Sequence, residues 1–290
     1  MFSIKRSVVL AIVFLYRASI GVANPVNLIT NGGFELNSGA GTSGFLGWTV
    51  ATQSGASGSW YAQTGTSSPV NGFPVQAPPE GSYSAMTDDI GPSSQALLQS
   101  FTVPLNPGAL TLSFQYLYSF GGYSGVFPWA PGYAPPSTLD YNYLNNTGNP
   151  NDQAVVNILT SGASALDDSD PMLLTQALQL NPTALGDPNS NPCFPASCFY
   201  QSFSMPLTGL APGATYQLQF AEVDDQGTFN FGVDDVSIDY TASTAPVPEP
   251  NSLKLLVPLL GLLAGVGVLQ TLPLFKLRES HFSDVDDVMD

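Results

Sequence analysis

Carboxylates are the only charged side chains between Asn24 and Pro250. That stretch holds 17 Asp and Glu residues and no Lys, Arg or His, a formal charge of −17. Without histidine, neither a Ser-His-Asp nor a Cys-His nucleophile can be assembled, and zinc sites with histidine ligands are excluded. Nucleic acid binding needs Lys or Arg to neutralise phosphates, so nucleic acid is excluded as a partner. Anionic lipid surfaces and acidic polysaccharides are repelled for the same reason. What remains is carboxylate, amide, hydroxyl and aromatic chemistry, which suits calcium and neutral sugars. An enzyme built from these groups would be a paired-carboxylate glycoside hydrolase. Its acids would come from Glu35, Glu80 and Glu222, the glutamates of residues 24–246, and none of them lies in a recognisable catalytic motif. The expectation is therefore a non-catalytic protein. Asp88-Asp89 and Asp224-Asp225 are looser candidates for calcium ligands, the competing reading being solvated loops.

Cys193 and Cys198 are the two cysteines. In an exported chain they are expected to close one small disulfide loop, the alternative being two free thiols. There is no second pair to make a metal knuckle. Of the three tryptophans, Trp48 is expected in the core and Trp60 is unassigned. Trp129, with Tyr133 nearby, sits in a long stretch rich in Gly, Pro and aromatics (residues 119–150). These two are the candidates for glycan contact; the competing reading is that Trp129 pins its loop to the fold.

The elements that must position these groups are strands. Residues 24–242 are long enough for one sizeable core, Gly and Pro are spread throughout, and short alternating runs recur. That pattern predicts an all-β sandwich or barrel. In residues 109–118, Leu110, Leu112, Phe114, Tyr116 and Tyr118 share one face. In residues 215–223, Tyr216, Leu218 and Phe220 do the same. Strands are also expected over 96–103, 154–160 and 199–205, whereas 173–180 fits a short helix or a strand. Leu210-Ala211-Pro212-Gly213 reads as a turn feeding the strand at 215. Residues 229–240 carry a fault in alternation: Phe229, Phe231 and Val233 fall on one face, Val236, Ile238 and Tyr240 on the other. One extra residue at Asp234-Asp235 restores a single inward face, so a β-bulge is expected there, re-aiming an acidic side chain.

Both ends of the chain read as targeting segments. Lys5 and Arg6, the apolar run 8–16 and Gly21-Val22-Ala23 form a secretory signal peptide over residues 1–23, cleaved after Ala23. Arg17 leaves an uncleaved anchor as the alternative. Residues 255–275 are apolar apart from Gln270 and Thr271. As a helix they would span roughly 31 Å, the thickness of a bilayer core, and a soluble core helix rarely runs so long without a polar face. Pro258 and Pro273 are tolerated in membrane helices. Lys276 and Arg278 place the following side in the cytoplasm.

This tail, preceded by Val247, Pro248, Glu249 and Pro250, resembles the PEP-CTERM sorting signal of bacterial exported proteins: a box, one span and a basic cluster. The resemblance implies an inner-membrane-held precursor, its domain in the periplasm, processed near the box by an exosortase-type protease and passed to the cell surface or medium. Residues 243–254 would be the linker carrying the box, 255–275 the transmembrane helix, and 276–290 a basic then acidic cytoplasmic tail. The acidic dozen 279–290 departs from the family's usual ending at the basic cluster.

A second resemblance covers residues 24–242. Asn27 to Glu35, containing Asn31-Gly32-Gly33-Phe34-Glu35 and followed by Gly47-Trp48, looks like the opening of galactose-binding-like jelly-roll domains, a fold shared by carbohydrate-binding modules. Val233-Asp234-Asp235-Val236 resembles their closing strand, and Leu98-Gln99-Ser100-Phe101 their Gln-containing strand. The resemblance implies a jelly-roll β-sandwich and, residue by residue, a structural calcium on Glu35 and Asp234. The expected function is an exported envelope or extracellular-matrix protein binding neutral glycan. The alternative is a self-associating structural matrix protein.

Overall fold

The computed structural model describes residues 24–121, 137–142, 151–168, 172–180, 199–225 and 228–242. The chain divides into two units, Met1–Ser243 and Thr244–Asp290, and the second lies outside the described residues. Among the described residues no helix is long and apolar enough to cross a membrane; residues 255–275 are not among them.

The first unit is all-β: β1 (Val26–Asn27), β2 (Thr49–Thr52), β3 (Ser59–Gln63), β4 (Ser84–Asp88), β5 (Ser93–Thr102), β6 (Pro107–Gly121), β7 (Gln153–Thr160), β8 (Leu173–Leu180), β9 (Gln201–Leu207), β10 (Thr215–Asp224) and β11 (Thr228–Ala242). They form two antiparallel sheets. One runs β3-β4-β11-β6-β9 with β1 also on β11; the other runs β2-β5-β10-β7-β8. The ambiguous 173–180 segment is thus an edge strand, fixed by its pairing with β7 rather than by its own pattern.

The core lies between the sheets and is built by period-two alternation. Leu110, Leu112, Phe114 and Tyr118 of β6 face Leu218 and Phe220 of β10, all 5% exposed or less. Phe114 sets its ring edge-on to Phe220 with centroids 5.2 Å apart. Each such side chain contributes about 1.5–3 kcal/mol by leaving water. Both outer faces also carry small apolar clusters. Leu139 and Tyr141 cover Ala96, Leu98, Val155, Ala221 and Val223 on the second sheet. Tyr200 lies with Val75, Met86 and Leu117 on the first. Gly232, register partner of both Met86 and Leu117, leaves room for the Tyr200 ring: a Cβ there would stand 2.8 Å from its hydroxyl.

The bulge is where the alternation demands it. Asp234 pairs with Gln115 and Ser237 with Ser113, so β11 has one extra residue, and Asp235 takes a left-handed φ of 50°. Phe229, Phe231, Val233, Val236 and Ile238 all end on the buried side as a result, while Asp234 is buried and Asp235 exposed. The turn before β10 also forms, with Gly213 at φ 77° and its N–H on Val103 O.

Candidate functional site

Three features of the sandwich carry chemistry. The first is a polar end of the inter-sheet space. Inward positions of the strands run apolar along most of their length, then turn acidic. On β10, Leu218 and Phe220 are followed on the same face by Glu222 and Asp224; before Ala154 and Val156 of β7 comes Asp152; after Ala85 and Thr87 of β4 comes Asp89. Asp89, Asp152, Glu222 and Asp224 are all 0% exposed. Asp88, Asp89 and Asp224 are thus buried, which corrects the solvated-loop reading for them, while Asp225 lies in a bend past β10 and is only partly buried. Asp224 is the last residue of β10 and Asp89 directly follows β4, so both keep the inward side set by the strands' period-two geometry. Asp88, on the opposite side of its strand from Asp89, is held by the N–H groups of Val70 and Asn71 at 2.6 and 2.9 Å.

Within this end, Gln95 Nε2 donates to Glu222 Oε2 at 2.6 Å, and Asp225 N–H to Asp152 Oδ1 at 2.8 Å. One ligand oxygen each from Asp89, Glu222 and Asp224 lies within 4.8 Å of the others; among the described residues no other set of three metal-ligating side chains does so. With no basic side chain to offset them, these carboxyls resist ionisation. Burial, then the charges of Asp88 and Asp152, pushes Asp89 up to about 8. Burial raises Glu222 and Asp224 as well, with neighbouring carboxylates adding to it, and it also raises Asp152. Tyr118, on the inward face of β6, is raised by burial and by Asp152, Glu222 and Asp224.

The second feature joins the opening and closing motifs. Val236 N–H donates to Gly32 O at 3.0 Å, and Gln99 clamps Thr30 through both its N–H (2.6 Å) and its carbonyl (2.8 Å). Glu35 and Asp234, singled out from the sequence, both turn onto the segment 80–83. Glu35 Oε1 accepts the N–H groups of Ser82 (2.6 Å) and Tyr83 (2.8 Å); Asp234 accepts those of Glu80 (3.2 Å) and Asp235 (2.8 Å). Burial pushes Asp234 up to about 8; the two N–H donors oppose this, and the charges of Glu80 and Asp235 add to it. The geometry brings Glu35 and Asp234 to one turn, where both anchor backbone. Glu80 adds a third carboxylate nearby.

The third feature is a groove of about 520 Å³ on the outer side of β2, β5 and β10. Thr30, Thr49, Leu98, Gln99, Ser100 and Gln217 line it, closed on one side by Ala163 and Ala165, and no charged side chain is among the lining residues. Trp48 is not available to it: it is 8% exposed, packs on Phe34 and Phe220, and donates its indole N–H to Asn31 O, as its expected core role requires. Trp129, Tyr133, Cys193, Cys198 and the Val247, Pro248, Glu249, Pro250 box lie outside the described residues. Asp89 and Asp224 were among the looser calcium candidates, but their burial beside Glu222, Asp152 and Gln95 was not foreseen because Asp and Glu in a short motif read as exposed; extending the inward alternation of β10 past Phe220 shows it.

No protein-family model matches the chain, and no curated protein matches it in sequence. Solved structures with related backbones include the enzymatically active domain of tailspike protein 4 of bacteriophage CBA120 (12% identity, TM-score 0.36), over 74% of this chain. The chain spans about a fifth of that tailspike, 21% of its length. TmCBM61 in complex with β-1,4-galactotriose is similar at 13% identity and TM-score 0.33, over 73% of this chain and 97% of that one. The K3 cleaved adhesin domain of Lys-gingipain from Porphyromonas gingivalis W83 is similar at 13% identity and TM-score 0.39, over 73% and 98%. At these scores the likenesses assign neither ligand nor activity.

Proposed function

We propose that this protein is an exported, membrane-sorted, non-catalytic jelly-roll module that binds neutral glycan in the groove over β2, β5 and β10. The observation that carries the reading is the lining of that groove. Hydroxyl, amide and apolar groups surround a space of about 520 Å³ in a domain whose net charge repels anions. Such a volume falls in the ordinary range of small-ligand sites, about 300–1,000 Å³. Ser100 and Thr49 present exposed hydroxyls to it, and Trp129 and Tyr133 are the proposed aromatic contacts. In this reading Glu35 and Asp234 hold a structural calcium at the 80–83 turn. Export, the exosortase-type processing and the membrane hold rest on residues 1–23 and 247–278. The non-catalytic reading is supported by Glu222 being fully enclosed and by Glu35 being bonded to backbone.

Affinity electrophoresis of the full chain through gels containing neutral galactan, xylan or glucan tests the binding, with alginate as the acidic control. The expected result is retardation by a neutral polysaccharide, none by alginate, and loss of retardation in Ser100→Trp, which fills the groove. Absence of retardation by every neutral polymer, or full retardation of Ser100→Trp, refutes it. Intact-mass analysis of membrane and released fractions tests the sorting: a product ending near residues 247–250 is expected, and a chain retaining residues 255–290 everywhere contradicts it.

A further inference from the structure

We infer that Asp89, Glu222 and Asp224, with the amide oxygen of Gln95, form a buried calcium site that staples the two sheets together. It is separate from the turn that holds Glu35 and Asp234: β4 runs between them, its start at Ser84 next to the 80–83 turn and its last residue, Asp88, next to Asp89.

The distances suit one ion. Oxygens bound to calcium at about 2.4 Å can lie no more than about 4.8 Å apart, and the three carboxylates satisfy that limit pairwise. They come from both layers, Asp89 from the end of β4 and Glu222 and Asp224 from β10, so an ion among them bridges the sheets. A second observation, on a neutral side chain, points the same way. Gln95 is 0% exposed, faces inward on β5 opposite Glu222, and has its amide nitrogen on Glu222 Oε2. Its amide oxygen has no hydrogen-bond partner among the described residues. A buried carbonyl left unmatched costs the fold, and a hard cation is the ligand that carbonyl and carboxylate oxygens share. Both oxygens of Asp89 and Oε1 of Glu222 are likewise without hydrogen-bond partners among the described residues.

The compensating charge has no source in the domain itself. Residues 24–250 contain no Lys, Arg or His, so no side chain there can neutralise carboxylates that are 0% exposed. Two answers exist, protons or a cation. Asp152 and Asp224 share a hydrogen bond, which takes one proton. A divalent ion on Asp89, Glu222 and Asp224 would balance most of the rest. Calcium is favoured over magnesium because the donors are anionic and carbonyl oxygens held in an enclosed space, and magnesium keeps several waters.

The test is calcium stoichiometry by equilibrium dialysis on the full detergent-solubilised chain, stripped with chelator and then given Ca2+ alone. Wild type is expected to bind one ion more than Glu222→Gln, and Glu35→Gln is expected to retain that ion. Equal stoichiometry in wild type and Glu222→Gln overturns the site. Should Glu222→Gln fail to fold, infrared spectra of Asp234→Asn, which lacks the raised carboxyl of the 80–83 turn, decide. Loss of protonated-carboxyl absorption on adding saturating Ca2+ supports the site, and persistence of that absorption unchanged means the carboxyls are held by protons alone and overturns it.

Discussion

Gly32 is where the two ends of the domain meet, and it explains why the opening motif contains glycine. A Cβ on Gly32 would stand 1.9 Å from the backbone carbonyl oxygen of Val236, and its own carbonyl accepts the Val236 N–H. The obstacle is backbone, not the tip of a flexible side chain, so the chain must move. Gly32→Ala is expected to lower stability by about 1–3 kcal/mol, the usual cost of forced overpacking, read as a shift in urea midpoint at constant slope. A second single-residue prediction concerns Asp168. Partial burial, with the charge of Asp167 adding, raises its carboxyl from 3.8 to about 6. The folded state therefore holds this proton at pH values where the unfolded chain has lost it. The sign follows: the contribution is present below about pH 4, is lost as pH rises through the window, and is gone above about pH 6. Asp168→Asn should flatten that part of the pH dependence, so that its urea midpoint gains on wild type between about pH 4 and pH 7. An unchanged difference between the two proteins across that range would refute the assignment.

Strands were readable from sequence where one face is apolar and the other polar. β6, β10 and β11 follow their alternation, and the break in β11 located the bulge because a shift of one residue is the only way to keep Val236 and Ile238 inside. β4 was not readable: Ser84 to Asp88 is buried on both faces and presents no period. β8 carries a weak pattern of its own and is settled by β7, a contact that local sequence does not contain. For the same reason the groove, assembled from Thr30, β2, β5, β10 and the 163–165 segment, left no mark in any one stretch. The bulge gives a prediction at this scale. Asp235 is exposed, so its side chain packs little, yet it holds φ at 50°. A β-branched residue resists that conformation, while glycine accepts it. Asp235→Val should cost about 1–2 kcal/mol and Asp235→Gly little or nothing, compared by denaturant unfolding. Equal losses in both would mean that the Asp235 side chain, not its backbone, sustains the bulge.

Charge sets the behaviour of the whole domain. Seventeen carboxylates without a base in residues 24–250 repel one another, but they do so in two different settings. Exposed ones such as Asp235 and Asp140 act across water, and salt screens them: the Debye length falls from about 10 Å at 0.1 M to about 3 Å at 1 M. Asp89, Glu222 and Asp224 are enclosed, so the diffuse ionic atmosphere that screens surface charges does not weaken the repulsion between them. In chelator, raising NaCl from about 0.1 to 1 M is therefore expected to raise the melting temperature gradually and to level off as surface repulsion is screened. Adding millimolar Ca2+ on top of 1 M NaCl should raise it again, because an ion that binds only the folded state stabilises it by mass action regardless of screening. Glu222→Gln should keep the salt response and lose much of the calcium response, and Glu35→Gln should lose only the part that belongs to the 80–83 turn. If 1 M NaCl alone reproduced the full calcium effect in wild type, the cation would be acting on the surface and the buried carboxyls would be stabilised by protons instead.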